Sequence, residues 1–221
     1  DRFPLIVDRH LCSSPVNAGT IGFNAGHIFA LNATDVKEYS KAMMQGRKTA
    51  QQFRDALALY QPEAYGASFV SQTAPAMGIR ESRRIVGDYV MTYDDWFETR
   101  NFPDEIGRNS YYIDVHSSKL VKNSSEAVPV KKHRYEKGES HGIPYRSLVP
   151  KNLKNVITAG RIISCDRYMQ GSVRVMPPCM VTGEAAGLAS ALAVLDNISD
   201  MHILDTDKLR NRLREEGAYF K

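Results

Sequence analysis

The sequence predicts a chain of class α+β to α/β, with a mixed or antiparallel sheet in its middle and a strand–helix unit near its end. An apolar period of 3.6 runs from Val36 to Tyr60 and a period of two from Ile79 to Thr92. A short, wholly apolar stretch, Val156–Ala159, precedes a segment rich in small residues. At 221 residues, 43% of them hydrophobic and 24% charged, the chain is long enough to bury a core without staples.

The first thirty residues read as loops and short strands punctuated by Gly19, Gly22 and Gly26, whose spacing is not GxGxxG. A helix then follows. Val36, Tyr39, Met43, Gly46, Ala50, Phe53, Leu57 and Tyr60 recur at steps of three and four, Thr34 or Asp35 caps the start and Pro62 stops the end. Gly46 lies on the apolar stripe at a cost of about 1 kcal/mol against alanine, so another backbone is expected to pack closely there.

Ala67–Ser71 is a short strand candidate. Over Ile79–Thr92 the residues Ile85, Gly87, Tyr89 and Met91 face one way, and Val86, Asp88, Val90 and Thr92 the other, which predicts a strand. Asp94–Arg100 is a capped helix, Tyr111–Val115 a strand ending at His116, and 116–142 an exposed polar loop or hairpin. Pro144–Pro150 reads as extended. Val156–Ala159 reads as a strand buried on both faces. A loop of about 20 residues then leads to a helix over Cys179–Leu195, rich in Gly, Ala and Ser. Asp207–Gly217 is a charged surface helix, capped by Asp205 or Thr206.

The charge balance excludes several classes. Lys and Arg exceed Asp and Glu by four, far from a dedicated nucleic-acid binder, and the run Lys131, Lys132, His133, Arg134 reads as a solvated loop. Cys12, Cys165 and Cys179 form neither a disulfide framework nor a zinc motif, and a cytoplasmic, reducing compartment is expected. No metal site is expected. The longest apolar run, Met180–Leu195, is 16 residues interrupted by Glu184, short of the roughly 20 of a spanning helix, so no membrane partner is expected.

An apolar strand, a glycine at its carboxyl end, a loop and a small-residue helix make the geometry of a dinucleotide site. Ligands in α/β sheets lie outside the carboxyl ends of strands. A helix N-terminus aimed there offers free N–H groups and partial positive charge, suited to a pyrophosphate or to the N1–C2=O edge of a reduced flavin. Arg161 and Arg174 add cationic forks. Any α/β fold with tight helix packing shares this pattern.

The segment Asn155–Ala193, NVITAGRIISCDRYMQGSVRVMPPCMVTGEAAGLASALA, resembles the C-terminal FAD-contacting motif of a family of FAD-dependent oxidoreductases. GIRESRRIVG over Gly78–Gly87 and GIPYRSLVP over Gly142–Pro150 are similar to the same family, and the likeness covers nearly all of residues 20–195. The resemblance implies a substrate or cap-type domain over 1–150, the last part of a split, Rossmann-type FAD-binding domain over 151–197, and a surface helix tail over 198–221. It implies flavin contacts from Gly160, Arg161, Ser172, Arg174, Met176, Pro177 and Gly183. Met176 reads equally as core, and the two arginines as surface ion pairs.

The family's GxGxxG unit, which holds the adenosine half of the cofactor, is absent from these residues. The chain is therefore expected to be the C-terminal half of a longer flavoprotein, inactive alone and binding FAD poorly or not at all without that unit.

Substrate chemistry points to Arg80, Glu81, Arg83, Arg84, His116, Tyr145 and Arg146. A flavin oxidoreductase needs an acid or base near the hydride-transferring carbon, and His116 titrates in the right range. Arg80 suits an anionic or hydroxylated substrate, with Glu81 and Tyr145 as further candidates. A surface histidine at a strand end is the plain alternative for His116. The expected reaction is hydride transfer on a small polar or sugar-like substrate, by a possible homo-oligomer. The competing readings are a binding or scaffold module derived from the flavoprotein fold, and a carbohydrate-processing enzyme of another class.

Overall fold

A computed structural model describes residues 2–7, 11–115 and 134–221; His116 lies outside the described residues. The chain forms two compact units, Asp1–Ser82 and Arg83–Lys221. The architecture is α+β: helices with small antiparallel sheets.

In the first unit, β1 (Leu11–Asn17) and β2 (Thr20–Ala25) form an antiparallel hairpin closed at Ala18–Gly19, with a register shift between Pro15 and Asn17. Helix α1 covers Val36–Tyr60, as the period of 3.6 predicts. The Asp35 carboxylate caps it, accepting from the N–H groups of Lys37 and Glu38 at 2.8 and 3.2 Å. The stripe is half-buried from Tyr39 to Leu57 and exposed at Val36 and Tyr60, and the most buried residues of the helix, Ala42 and Thr49, lie beside it. Short helix α2 (Pro62–Tyr65) follows. Among the described residues no backbone packs on Gly46, and an added Cβ would meet only Ile28 Cδ1, at 3.8 Å, which corrects the close approach expected there. Ala67–Ser71 is not a strand; instead the Ser68 carbonyl accepts from Arg54 Nε of α1 at 2.8 Å.

The second unit holds the larger core. Helix α3 (Tyr93–Phe97) begins with a capping box between Thr92 and Asp95 and ends three residues short of Arg100. Strands β3 (Glu105–Asn109) and β4 (His141–Pro144) pair antiparallel, with a register shift between Glu105 and Arg108. Helix α4 covers Arg167–Val173, α5 Met176–Leu195 and α6 Thr206–Glu215. Helix α5 rests on β3, and α6 packs on both. Trp96, Ile106, Ile143, Leu148, Ile163, Met169, Leu209 and Leu213 fill the centre. The tail helix α6 is therefore one wall of the core, its N-terminus capped by Asp205.

Like Ala67–Ser71, three further expected strands form no ladder, and β3 and β4 stand where none was expected. Residues 83–92 make single bridges at Gly87 and Met91. Their backbone alternates between two neighbours: Asp88 and Tyr89 donate to Val149 and Arg146, Ile85 and Met91 to Ile162 and Ser164. Shared in this way, the segment builds no continuous ladder with either. Gly87 permits the close approach, since a Cβ there would lie 2.8 Å from Ser164 Cβ and 3.0 Å from the Arg146 carbonyl oxygen. The expected alternation survives as burial, with Gly87 and Met91 inside and Val86, Asp88 and Val90 outside.

Tyr111–Val115 is irregular, and Tyr145–Ser147 is a 3-10 turn. Val156–Ala159 is extended without strand pairing, and Thr158 N–H donates to the Leu148 carbonyl. The expected 20-residue loop contains α4, and α5 begins at Met176, three residues early. At 20 residues α5 is long and apolar enough to cross a membrane, and it buries Ala185, Ala186, Ala189, Leu192 and Ala193 in the unit.

Candidate functional site

The motif residues of the second unit converge on the 3-10 turn Gly160–Ile162 and the first turns of α5. Gly160 has φ +74, the left-handed region that glycine enters freely. Its N–H donates to Thr182 Oγ1 at 2.9 Å, and that hydroxyl in turn bonds the Pro178 carbonyl at 2.9 Å. Thr182, 1% exposed, thus fastens the turn to α5. Sequence reading passed over it, because a helical threonine bonding its own i−4 carbonyl carries no distinctive signal.

Held this way, Arg161 stands exposed beside the start of α5. Its charge reaches the half-buried Cys179 thiol, whose pKa burial nevertheless raises. Met176, Pro177, Met180 and Gly183 are exposed along one side of α5, and a Cβ on Gly183 would meet nothing within 4 Å. The result is a low, open surface with a cation at its edge.

The other motif residues turn inward. Ser172 is fully buried: its hydroxyl accepts from Asn109 Nδ2 at 2.8 Å and donates to the Tyr111 carbonyl at 2.7 Å. Arg174, with a side chain 9% exposed, donates to the Asp114 carbonyl at 2.5 Å and lies 3.8 Å from the Asp114 carboxylate. These two residues brace Tyr111 and Asp114 against α4.

The start of α5 departs from the expected anion site. No side chain caps it, and Pro177 and Pro178 occupy the first turn. Prolines have no N–H, so the dipole remains while most donors that would grip a phosphate are missing. Met176 supplies the first-turn N–H ahead of the two prolines. Such an end suits a single acceptor, such as a ring carbonyl, better than a pyrophosphate.

Among the substrate candidates, Arg80 and Glu81 belong to the first unit and Arg83, Arg84, Tyr145 and Arg146 to the second. Tyr145, 2% exposed, donates its hydroxyl hydrogen to the Met201 carbonyl at 2.9 Å, and burial holds its phenol far above the usual range. It is a tether. Arg146 forks onto the Asp104 carboxylate at 2.9 and 3.2 Å and lies over the Tyr89 ring, 5.3 Å from its centroid. Arg84 Nε donates to the Cys165 carbonyl at 3.0 Å. Among the described residues, no group of three or more His, Cys, Asp and Glu could hold a metal ion.

A family model for FAD dependent oxidoreductases matches residues 7–213, and the chain belongs to that family. FAD is the cofactor the family implies. No curated protein matches the chain, and no solved structure does.

Proposed function

We propose that this chain supplies the flavin-ring side and the substrate side of an FAD-dependent oxidoreductase that transfers hydride to or from a small polar or sugar-like substrate. One observation carries the reading: the low exposed surface made by Gly160–Ile162 and by Met176, Pro177 and Gly183, held by the buried Thr182. The fit is to one edge of the cofactor. Arg161 and the Met176 N–H would hold polar atoms of the ring, and the bare helix side at Gly183 would leave room for a flat group. Flavin supplies the two-electron chemistry when bound.

The adenosine half needs a GxGxxG unit that these residues do not contain. Residues 151–197 act as the C-terminal part of a split Rossmann-type domain, and 1–150 as the substrate side; the boundary at 150 runs through the second compact unit. Arg80 and Glu81 orient the substrate and His116 moves the proton. A His116→Ala variant that keeps its rate of flavin reduction removes the histidine from this role. The number and spacing of the cysteines, at 12, 165 and 179, which make no disulfide framework, support a reducing, cytoplasmic setting, and exposed Met180, Val194 and Leu195 support self-association.

The visible spectrum tests the reading. A protein joining this chain to a GxGxxG unit is expected to carry a flavin band, and the 221 residues alone to be colourless. A joined protein that stays colourless after incubation with FAD overturns it. That result favours a scaffold module, the reading to which the inward-turned Ser172 and Arg174 lend support.

A further inference from the structure

The connection between α5 and α6 carries a 3-10 turn, Met201–Ile203, fastened at several points to distant parts of the second unit. Met201 N–H donates to the Lys154 carbonyl at 2.6 Å, and the Met201 carbonyl accepts from Tyr145. Next to it, His202 presents Nδ1 to the Asp88 carboxylate at 2.5 Å and Nε2 to the Leu153 carbonyl at 3.1 Å.

Both ring nitrogens therefore face acceptors that have no hydrogen to give. A neutral imidazole has one N–H and can satisfy one of them; only the imidazolium satisfies both. The ring thus bridges three chain segments, at 88, 153 and 202, in a geometry that suits the charged form alone.

We propose that His202 is a pH-sensitive latch: protonated, it clamps the turn Met201–Ile203 to Asp88 and Leu153, and on losing its proton it releases one of them and the turn loosens.

The surroundings favour the clamped state. Asp200 takes the His202 backbone N–H at 3.1 Å and adds negative field, while Lys154, 3.6 Å from Asp200, is mostly exposed and opposes it weakly. Asp88 also faces Arg146 and Tyr145, and neither displaces it from His202. The bond to Asp88 outweighs the smaller, opposing effect of burial and raises the imidazole pKa. A raised folded pKa gives stability that is full below the unfolded value, about 6.5, and is lost as pH rises through the folded value. The latch therefore opens toward alkaline pH.

The test combines imidazole nitrogen NMR with hydrogen exchange at the Met201 amide, corrected for intrinsic rate, from pH 6 to 9. The wild type is expected to show both His202 nitrogens protonated at pH 6.5. Its Met201 protection is expected to fall about two- to fivefold across the range, the scale of a half-exposed ion pair. His202→Gln starts low and stays flat, and Asp88→Asn shifts the titration back toward the ordinary histidine value. A single-tautomer neutral ring at pH 6.5, or parallel protection profiles in the wild type and either variant, overturns the proposal.

Discussion

Glu105 and Arg108 form an ion pair at 2.8 Å with each side chain only 2% exposed, at the register shift of β3. Arg108 completes its fork on Ser140 Oγ, the Ser140 carbonyl and Asn101 Oδ1, so its charge is hydrogen-bonded on several sides. Breaking such a pair strands a buried charge, at a cost of about 3–5 kcal/mol. Glu105→Gln and Arg108→Met are each expected to lower unfolding free energy by roughly that much in urea titrations. A loss under about 1 kcal/mol counts against the buried pair as described.

Gly46 offers the opposite case. It lies inside α1, where a methyl group would make an ordinary van der Waals contact with Ile28 Cδ1, and its helical backbone needs no glycine. Gly46→Ala is expected to stabilise the first unit by about 0.5–1 kcal/mol, read as a raised midpoint of denaturation.

His141 is fully buried in β4, and its Nδ1 lies 2.8 Å from the Tyr135 hydroxyl, which itself donates to the Trp96 carbonyl. Burial, reinforced by the charge of Arg108, pushes its pKa down to about 3. The unfolded chain takes up this proton near pH 6.5 and the folded chain does not, so stability falls on acidification through that value. Between pH 6.5 and 5 the slope approaches one proton, about 1.4 kcal/mol per unit. Comparison of wild type with His141→Asn over that window is expected to show a shallower slope in the variant.

Thr182 and Ser172 separate holding the site from building the core. Thr182→Ala leaves the Gly160 N–H without its partner and frees the turn that carries Arg161. Flavin affinity of the joined protein is expected to fall about tenfold, with a recovered share in Thr182→Ser, which restores the hydroxyl. Ser172→Ala removes one of two hydrogen-bond partners from each of Asn109 Nδ2 and the Tyr111 carbonyl, which keep the Ser172 carbonyl and Trp96 Nε1 respectively. It is expected to cost about 1–3 kcal/mol in unfolding free energy, measured by denaturant titration without cofactor.

Much of the local structure is legible without coordinates. The bounds of α1 follow from a stripe that needs no distant partner, closed by Asp35 and Pro62. Asp205 announces α6 in the same way. The alternation at 85–91 correctly sorts inside from outside even though no ladder forms, because burial follows side-chain direction whichever neighbour the backbone bonds.

Strands β3 and β4 were not legible. Residues 105–109 read EIGRN, a polar string, and become core only because Glu105 and Arg108 neutralise each other and Asn109 finds Ser172. The start of α5 was misplaced because Pro177 and Pro178 read as a loop, whereas the first turn of a helix tolerates residues without N–H.

The sequence by itself determined the family, the long helix and the residues gathered in the 155–193 motif, since these rest on local spacing and contiguous pattern. Only the tertiary structure decided how the motif divides: Gly160, Arg161, Met176, Pro177 and Gly183 toward an open surface, Ser172 and Arg174 toward the core. The pairings of Thr182 with Gly160 and of His202 with Asp88 belong to it too. Each joins residues far apart in the chain, and the direction of a hydroxyl or an imidazole is set by the partners that packing brings within reach.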